Sequence, residues 1–430
     1  MLRLDPNHAQ AHFNLGTLLA DAGRYGEAAA QFDAARRLGG DDPAVVLAYV
    51  RAALFGGQAP GAAEAAKEFA AKHAADSRAL FTLGLEFAKA EQYETAAAYF
   101  SRVRKLRPKS FDVLYNLGIA EYNLQRYDEA GAALAEAADL DSKRAEAHFR
   151  LGLIASARGD HANAIVEFKH AAQRQPNEAQ IHYLLGREYF QTGDWKQAAA
   201  SYQRATELDP KQPLYFLSLG NAQFRGNEYP RSTQAFERVL ALDPKIPDIN
   251  YLIGYGYRVQ GEFEKARGYF ERQLEGTPSH VESLGNLGYL SLESGKFEEA
   301  ESYLKQTLAL DPNHVDALFN LGRLAVKQRQ SERAIELLRR VTVLSPDFTQ
   351  AHYQLYLLYS RAKQPELAQK ELADFQALQQ LDKEVRKIGE FLERARNAQG
   401  RPSGESGPTG APAMGGAAAA PAESPSPPRL

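Results

Sequence analysis

Glycine returns every 34 residues along this chain. Stepping by 34 from Gly16 reaches Val50, Gly84, Gly118, Gly152, Gly186, Gly220, Gly254, Gly288, Gly322 and Tyr356, so nine of eleven positions are glycine in a chain with 33 glycines among 430 residues. Twelve residues after each of these stands alanine, from Ala28 to Ala368, with Ser232 the one exception. A third phase carries Pro6, Pro108, Pro176, Pro210, Pro244, Pro278, Pro312 and Pro346, and no insertion breaks the register between residues 9 and 382. A spacing held this strictly is one structural unit repeated, and a unit this small buries its apolar face only by stacking on copies of itself.

Each unit holds two stretches with apolar residues at helical spacing, such as 315–328 and 331–344. Between them lies a turn, seen as Gly23-Arg24-Tyr25, Gly193-Asp194-Trp195 and Gly295-Lys296-Phe297. Small Gly and Ala at fixed points let the two helices approach closely, and the aromatic after the turn is expected to fill the space beside them. Proline near the end of a unit stops the second helix and favours the start of the next. These features predict an all-α chain of about eleven helix-turn-helix units.

The unit length of 34, the Asn-Leu-Gly at 14–16, 116–118, 286–288 and 320–322, the aromatic of the turn and the Asp-Pro at 209–210, 243–244 and 311–312 closely resemble the tetratricopeptide repeat family. The resemblance covers residues 9–382, eleven units. It implies a right-handed superhelical solenoid whose first helices line a concave groove that binds peptide segments or other proteins. Two units depart from the pattern. The second, 43–76, lacks the glycine, the aromatic and the closing proline, and is expected to pack loosely and to act as a flexible joint. The eleventh, 349–382, carries Tyr356 and Lys363-Gln364-Pro365 in place of the usual residues, as terminal repeats often do.

Beyond the last unit, Leu378, Leu381, Val385, Ile388, Leu392 and Ala395 recur at alternating steps of three and four. The reading preferred is a capping helix over 383–397 that covers the open edge of the array; dimerisation through 378–395 as a short coiled coil is the disfavoured alternative. Residues 398–430 are rich in Gly, Pro, Ala and Ser and are expected to be a disordered tail.

Composition narrows the function. A formal charge of −3 argues against nucleic acid as the partner, and no apolar run is long enough for a membrane span. Zero cysteines exclude disulfides, thiol nucleophiles and Cys-based metal sites. No phosphate loop, HExxH or Ser-His-Asp pattern appears, so the chain is read as not an enzyme, with no catalytic residue and no cofactor. His12, His148, His182 and His352 share one phase. Equivalent positions of stacked repeats lie about 10 Å or more apart, and no carboxylate accompanies these histidines at metal-ligand spacing, so they are assigned to packing and no metal is expected.

The candidate partner-binding residues come from three phases of the first helices. Three residues before the glycine stand Phe13, Phe81, Tyr115, Phe149, Tyr183, Tyr251, Phe319 and Tyr353; the resemblance places this phase on the groove side, where aromatic rings offer contact area at little entropic cost. The next residue is Asn14, Asn116, Asn286 and Asn320, whose amide carries both a donor and an acceptor for a peptide backbone. Immediately after the glycine, or four to five residues beyond it, repeats six to eleven hold Arg187, Arg225, Arg258, Arg323, Lys327 and Arg361. These arginines suit acidic ligands, although Asp248, Glu282, Glu293 and Asp316 share the region and could neutralise them.

The function expected is therefore a non-catalytic protein-interaction scaffold that binds an extended peptide or partner protein. The alternative is the substrate-recognition arm of a larger enzyme, such as a glycosyltransferase, whose catalytic part lies outside this chain. RNA binding is weakened by the net negative charge. The opening MLRLDPNH matches the last eight positions of a unit. Residues 1–8 are thus read as the remnant of a truncated repeat, with further sequence expected upstream of Met1. That leaves localisation open, cytoplasmic by default and periplasmic given an upstream signal. The preference for arginine over lysine and the alanine-rich helices point to a GC-rich bacterial genome.

Overall fold

In a computed structural model the structure describes residues 5–39 and 42–398, which form 22 α-helices with no strand among the described residues. The helices alternate along the chain as first and second members of a pair, beginning with Ala9–Asp21 and Tyr25–Gly39 and ending with Thr349–Arg361 and Pro365–Ala398. One pair occupies each 34-residue window, so the all-α repeat architecture stands. The chain divides between Asn177 and Glu178 into two compact units, the first holding repeats one to five and the second repeats six to eleven.

The Asp-Pro string shows how a unit begins. Asp311 Oδ1 accepts the Asn313 amide N–H at 3.0 Å, and His314 Nδ1 accepts that of Ala317 at 3.2 Å. The second bond satisfies one of the amides left open at the helix start, and the first closes the turn that leads into it. Asp5 with Asn7 (3.0 Å) and His8 with Ala11 (3.2 Å) repeat the arrangement. Residues 5–8 are thus the entry turn of the first helix.

The inner turn has one backbone requirement. Seven residues after the repeated glycine position every unit has a positive φ, at Gly23, Gly57, Glu91, Gln125, Gly159, Gly193, Asn227, Gly261, Gly295, Arg329 and Lys363. In the first unit Gly23 N–H donates to Ala20 O and Arg24 N–H to Leu19 O, both at 2.9 Å, the hydrogen-bond pair of a Schellman cap. An L-residue in this region costs about 1–2 kcal/mol, part of which glycine gives back as freedom of the unfolded chain. Glu91→Gly and Arg329→Gly are therefore each expected to stabilise by roughly 0.5 kcal/mol. A urea midpoint that stays put or falls in both variants would contradict this account of the turn.

The periodic glycine answers a packing demand rather than a backbone one. A Cβ on Gly84 would stand 2.6 Å from the Phe100 ring, on Gly220 2.5 Å from Phe236, and on Gly118 2.5 Å from Leu134. In every case the neighbour is the side chain sixteen residues on, from the second helix of the same unit. The ring at the glycine is thus not the turn aromatic. Trp195 instead packs edge-on against Phe190 of its own first helix at 4.9 Å, and Tyr25 meets Phe55 of the next unit at 5.6 Å.

Repeat two closes its core with a different pair of residues. Its two diagnostic positions hold Val50 and Ala66, both 0% exposed and members of one core cluster that runs from Ala28 to Ala133. The large residue has moved to the first helix and the small one to the second, so the volume is conserved.

The end of the array also differs from expectation. The sequence suggests a separate cap over 383–397, whereas one unbroken helix runs from Pro365 to Ala398. A helix of 34 residues is about 50 Å long, and the 13-residue Thr349–Arg361 beside it covers less than half of that length. Leu381, Val385 and Ile388 accordingly stay exposed. The side chains of Leu392 and Ala395, like residues 399–430, lie outside the described residues.

Candidate partner-binding surface

The aromatic phase is set by the same contacts that fix the glycines. Phe13 packs on Phe32 with ring centroids 5.5 Å apart, Phe81 on Phe100 at 5.6 Å, Phe149 on Phe168 at 6.0 Å, Tyr183 on Tyr202 at 5.7 Å and Tyr251 on Phe270 at 6.0 Å. Each partner lies nineteen residues on and is the ring that covers the glycine. Phe319 reaches Phe348, the residue that caps the first helix of the next unit, 4.8 Å away. The rings are therefore mostly internal: Tyr183 and Tyr251 are buried, Phe13, Phe81, Tyr115, Phe149 and Phe319 are half-buried, and Tyr353 is 41% exposed. Burial raises the pKa of Tyr251, with Tyr255 and Glu282 adding to the effect, so the ring carries a neutral hydroxyl at physiological pH.

The asparagines divide in a similar way. Asn116 and Asn286 each donate to a carbonyl of their own helix, those of Asp112 and Glu282, at 2.7 Å. Asn14 is exposed and accepts from Gln10 at 2.9 Å, and buried Asn320 accepts from Arg323 at 3.1 Å. One amide hydrogen of Asn116 and Asn286 is thus already engaged.

The basic phase sorts most sharply. Arg187 lies 3.0 Å from the buried carboxylate of Glu188. Arg323 pairs with Glu293 at 2.7 Å, so two members of the sequence set neutralise each other. Arg258 is different. Its guanidinium sits between two tyrosines of consecutive first helices, 4.5 Å from the Tyr255 centroid and 5.3 Å from that of Tyr289. Its Nε is buried without a hydrogen-bond partner, and no described carboxylate pairs with the group. The acids nearby in sequence are engaged elsewhere: Asp248 and Glu282 approach His280 at 3.2 and 3.9 Å. Arg225, Lys327 and Arg361 are exposed.

Sequence reasoning passed over Tyr255 and Tyr289, although both occupy the position immediately after the repeated glycine that singled out Arg187 and Arg323. It also passed over Glu86, a buried carboxylate in a phase that is apolar except for Glu188, held by Arg51 of the preceding repeat through bonds of 2.8 and 2.6 Å. The histidine phase has carboxylates after all. They lie nineteen residues on, across the helix pair, at Glu167 for His148 (2.8 Å) and Glu371 for His352 (2.7 Å).

Among the described residues no helix is long and apolar enough to cross a membrane. A model of the tetratricopeptide repeat matches residues 1–43, 47–111, 81–145, 115–179, 217–281 and 251–301; a second matches 291–352, and a TPR repeat model matches 186–226. None of these models describes a catalytic domain. No curated protein matches the chain. Similar solved structures include the C-terminal part of a TPR repeat-containing protein from Cytophaga hutchinsonii, with 20% identity over 56% of this chain and 99% of that one and a TM-score of 0.46. MamA from Desulfovibrio magneticus RS-1 shares 21% identity over 40% and 96% of the two chains, with a TM-score of 0.37. YrrB, a TPR protein with an unusual peptide-binding site, shares 23% over 44% and 96%, again with a TM-score of 0.37.

Proposed function

The chain belongs to the tetratricopeptide repeat family, and from that premise we propose that it is a non-catalytic scaffold whose first helices bind an extended, acidic peptide segment of a partner protein. The observation that carries this reading is Arg258. A guanidinium held between the Tyr255 and Tyr289 rings is oriented before any ligand arrives, and its charge is unspent. Cation–π contact fixes the plane of the group and leaves its N–H edge for a carboxylate, which it grips in two parallel hydrogen bonds. Half-buried Asn286, in the repeat that supplies Tyr289, offers a carbonyl oxygen to a peptide N–H, since only its amide nitrogen is bonded to the helix. Tyr183 and Tyr251 are buried, so their replacement would test folding rather than binding.

The test is an array of acidic, neutral and basic peptides probed with the full chain. Binding is expected to favour acidic peptides and to weaken with salt. Arg258→Gln should lower the affinity for acidic peptides about tenfold or more, since a hydrogen bond to a charged group contributes roughly 1.5–3 kcal/mol. Arg225→Gln, which removes an exposed charge of the same half, should change it far less. If Arg258→Gln binds the same peptides with unchanged affinity, the proposed surface is wrong.

A further inference from the structure

We propose that His148, Glu167 and His170 form a binding site for one divalent first-row transition metal ion, of which zinc is the natural probe. His148 belongs to the first helix of repeat five, Ala145–Ala157, and the other two to its second helix, His161–Arg174. Glu167 and His170 are three residues apart and so share a helix face. This Glu-x-x-His spacing, with a histidine from the facing helix, is a donor arrangement that helix pairs use to hold metals. One ligand atom from each of the three residues lies within 4.8 Å of those of the other two. Ligands of a tetrahedral zinc at about 2.0–2.1 Å stand roughly 3.3 Å apart, so small side-chain rotations would bring the two imidazoles to that spacing.

The comparison that singles out this site is internal to the chain. The same histidine phase in repeats one and eleven has both ring nitrogens occupied. His12 meets Gln31 at 2.8 Å and the Pro6 carbonyl at 2.9 Å. His352 meets Glu371 at 2.7 Å and the Pro346 carbonyl at 3.0 Å. In His148 the Nδ1 side meets Glu167, but Nε2 is buried with no hydrogen-bond partner. The carbonyl that would serve it, that of Ser142 six residues earlier, accepts from Arg174 instead. A few ångströms away stands a second orphan, the buried Nδ1 of His170, whose ring lies edge-on to His148 at 5.0 Å.

Two buried imidazole nitrogens without partners in one helix pair are costly, because each forfeits its hydrogen bonds to water. A shared cation removes both losses. Glu167 adds to this from outside the coordination shell: by accepting from Nδ1 of His148 it fixes the tautomer whose Nε2 carries the lone pair and places negative charge behind that ring. The two imidazole nitrogens are thus the protein donors, a ligand type that suits zinc, and water completes the coordination. The second convergent set, His352 with Glu371 and Asp374, has no unpartnered imidazole nitrogen and serves as the control.

The experiment is calorimetric titration of the tag-free full chain, stripped of metal, with Zn2+, followed by Co2+ titration read through visible d–d absorption. One ion per chain is expected. His170→Ala and the volume-conserving His170→Gln should weaken binding by about tenfold or more while far-UV dichroism shows the helices intact, and His352→Ala should leave the stoichiometry at one. The proposal is overturned if the wild-type chain takes up no zinc, if both His170 variants bind as the parent does, or if binding is lost in His352→Ala but kept in the His170 variants.

Discussion

Phe236→Ala is expected to cost about 3–5 kcal/mol, the range for emptying a fully buried phenylalanine site, and Gly220→Val about 1–3 kcal/mol or more through overpacking. Phe236 is 1% exposed and lies across the bare backbone of Gly220, where a Cβ would stand 2.5 Å from its ring. The informative measurement is the double variant. Val50 and Ala66 show that this chain already packs the same two positions with the volumes exchanged. Gly220→Val with Phe236→Ala should therefore lose less than the sum of the single changes, with a coupling of at least about 1 kcal/mol. Urea titrations of the three variants followed by far-UV dichroism give the cycle. Because each repeat touches only its neighbours, hydrogen exchange should locate the loss in repeats six to eight. Strict additivity would mean that glycine and ring are not a matched pair.

Arg51→Ala is the second large effect. Glu86 is buried, and burial by itself opposes its ionisation. The two hydrogen bonds and the charge of Arg51, with help from Lys89 at 3.4 Å, outweigh that and hold its carboxyl below the usual range. The stabilisation is thus present above the ordinary carboxylate value and is lost as pH falls through the depressed one. Removing the guanidinium leaves a buried carboxylate with only the lysine. Breaking a fully buried pair costs about 3–5 kcal/mol, and since Arg51 is itself more than half exposed, roughly 2 kcal/mol is the expected loss near pH 7. In the variant burial dominates and the carboxyl rises. The deficit against the parent should then shrink on acidification toward pH 4.5, as Glu86 takes up a proton and ceases to be a stranded charge. A deficit that is constant between pH 7.5 and 4.5 would assign the effect to lost packing of the arginine stem.

How much of this could be read beforehand differs from residue to residue. The glycine at Gly220 announced a close approach, but the chain alone did not say to what; the partner, Phe236, stands sixteen residues on in the second helix. Arg187, Arg258 and Arg323 looked alike in sequence. They separate only when Glu188 and Glu293 capture two of them and Tyr255 and Tyr289 enclose the third. His12 and His148 were likewise equivalent until Arg174 took the Ser142 carbonyl.

The division has a physical reason. Period, helix pairing, unit length and the demand for small residues are local and repeat identically, so register along the chain is register in space, and the sequence by itself determined them. Partnership between side chains is decided across the pair and between repeats, at separations of 16, 19 and about 30 residues, where one altered residue redirects a charge or frees a nitrogen. Only the tertiary structure could decide which rings of the aromatic phase are interior, which arginine stands between two tyrosines, and which of His12, His148 and His352 has a nitrogen to spare.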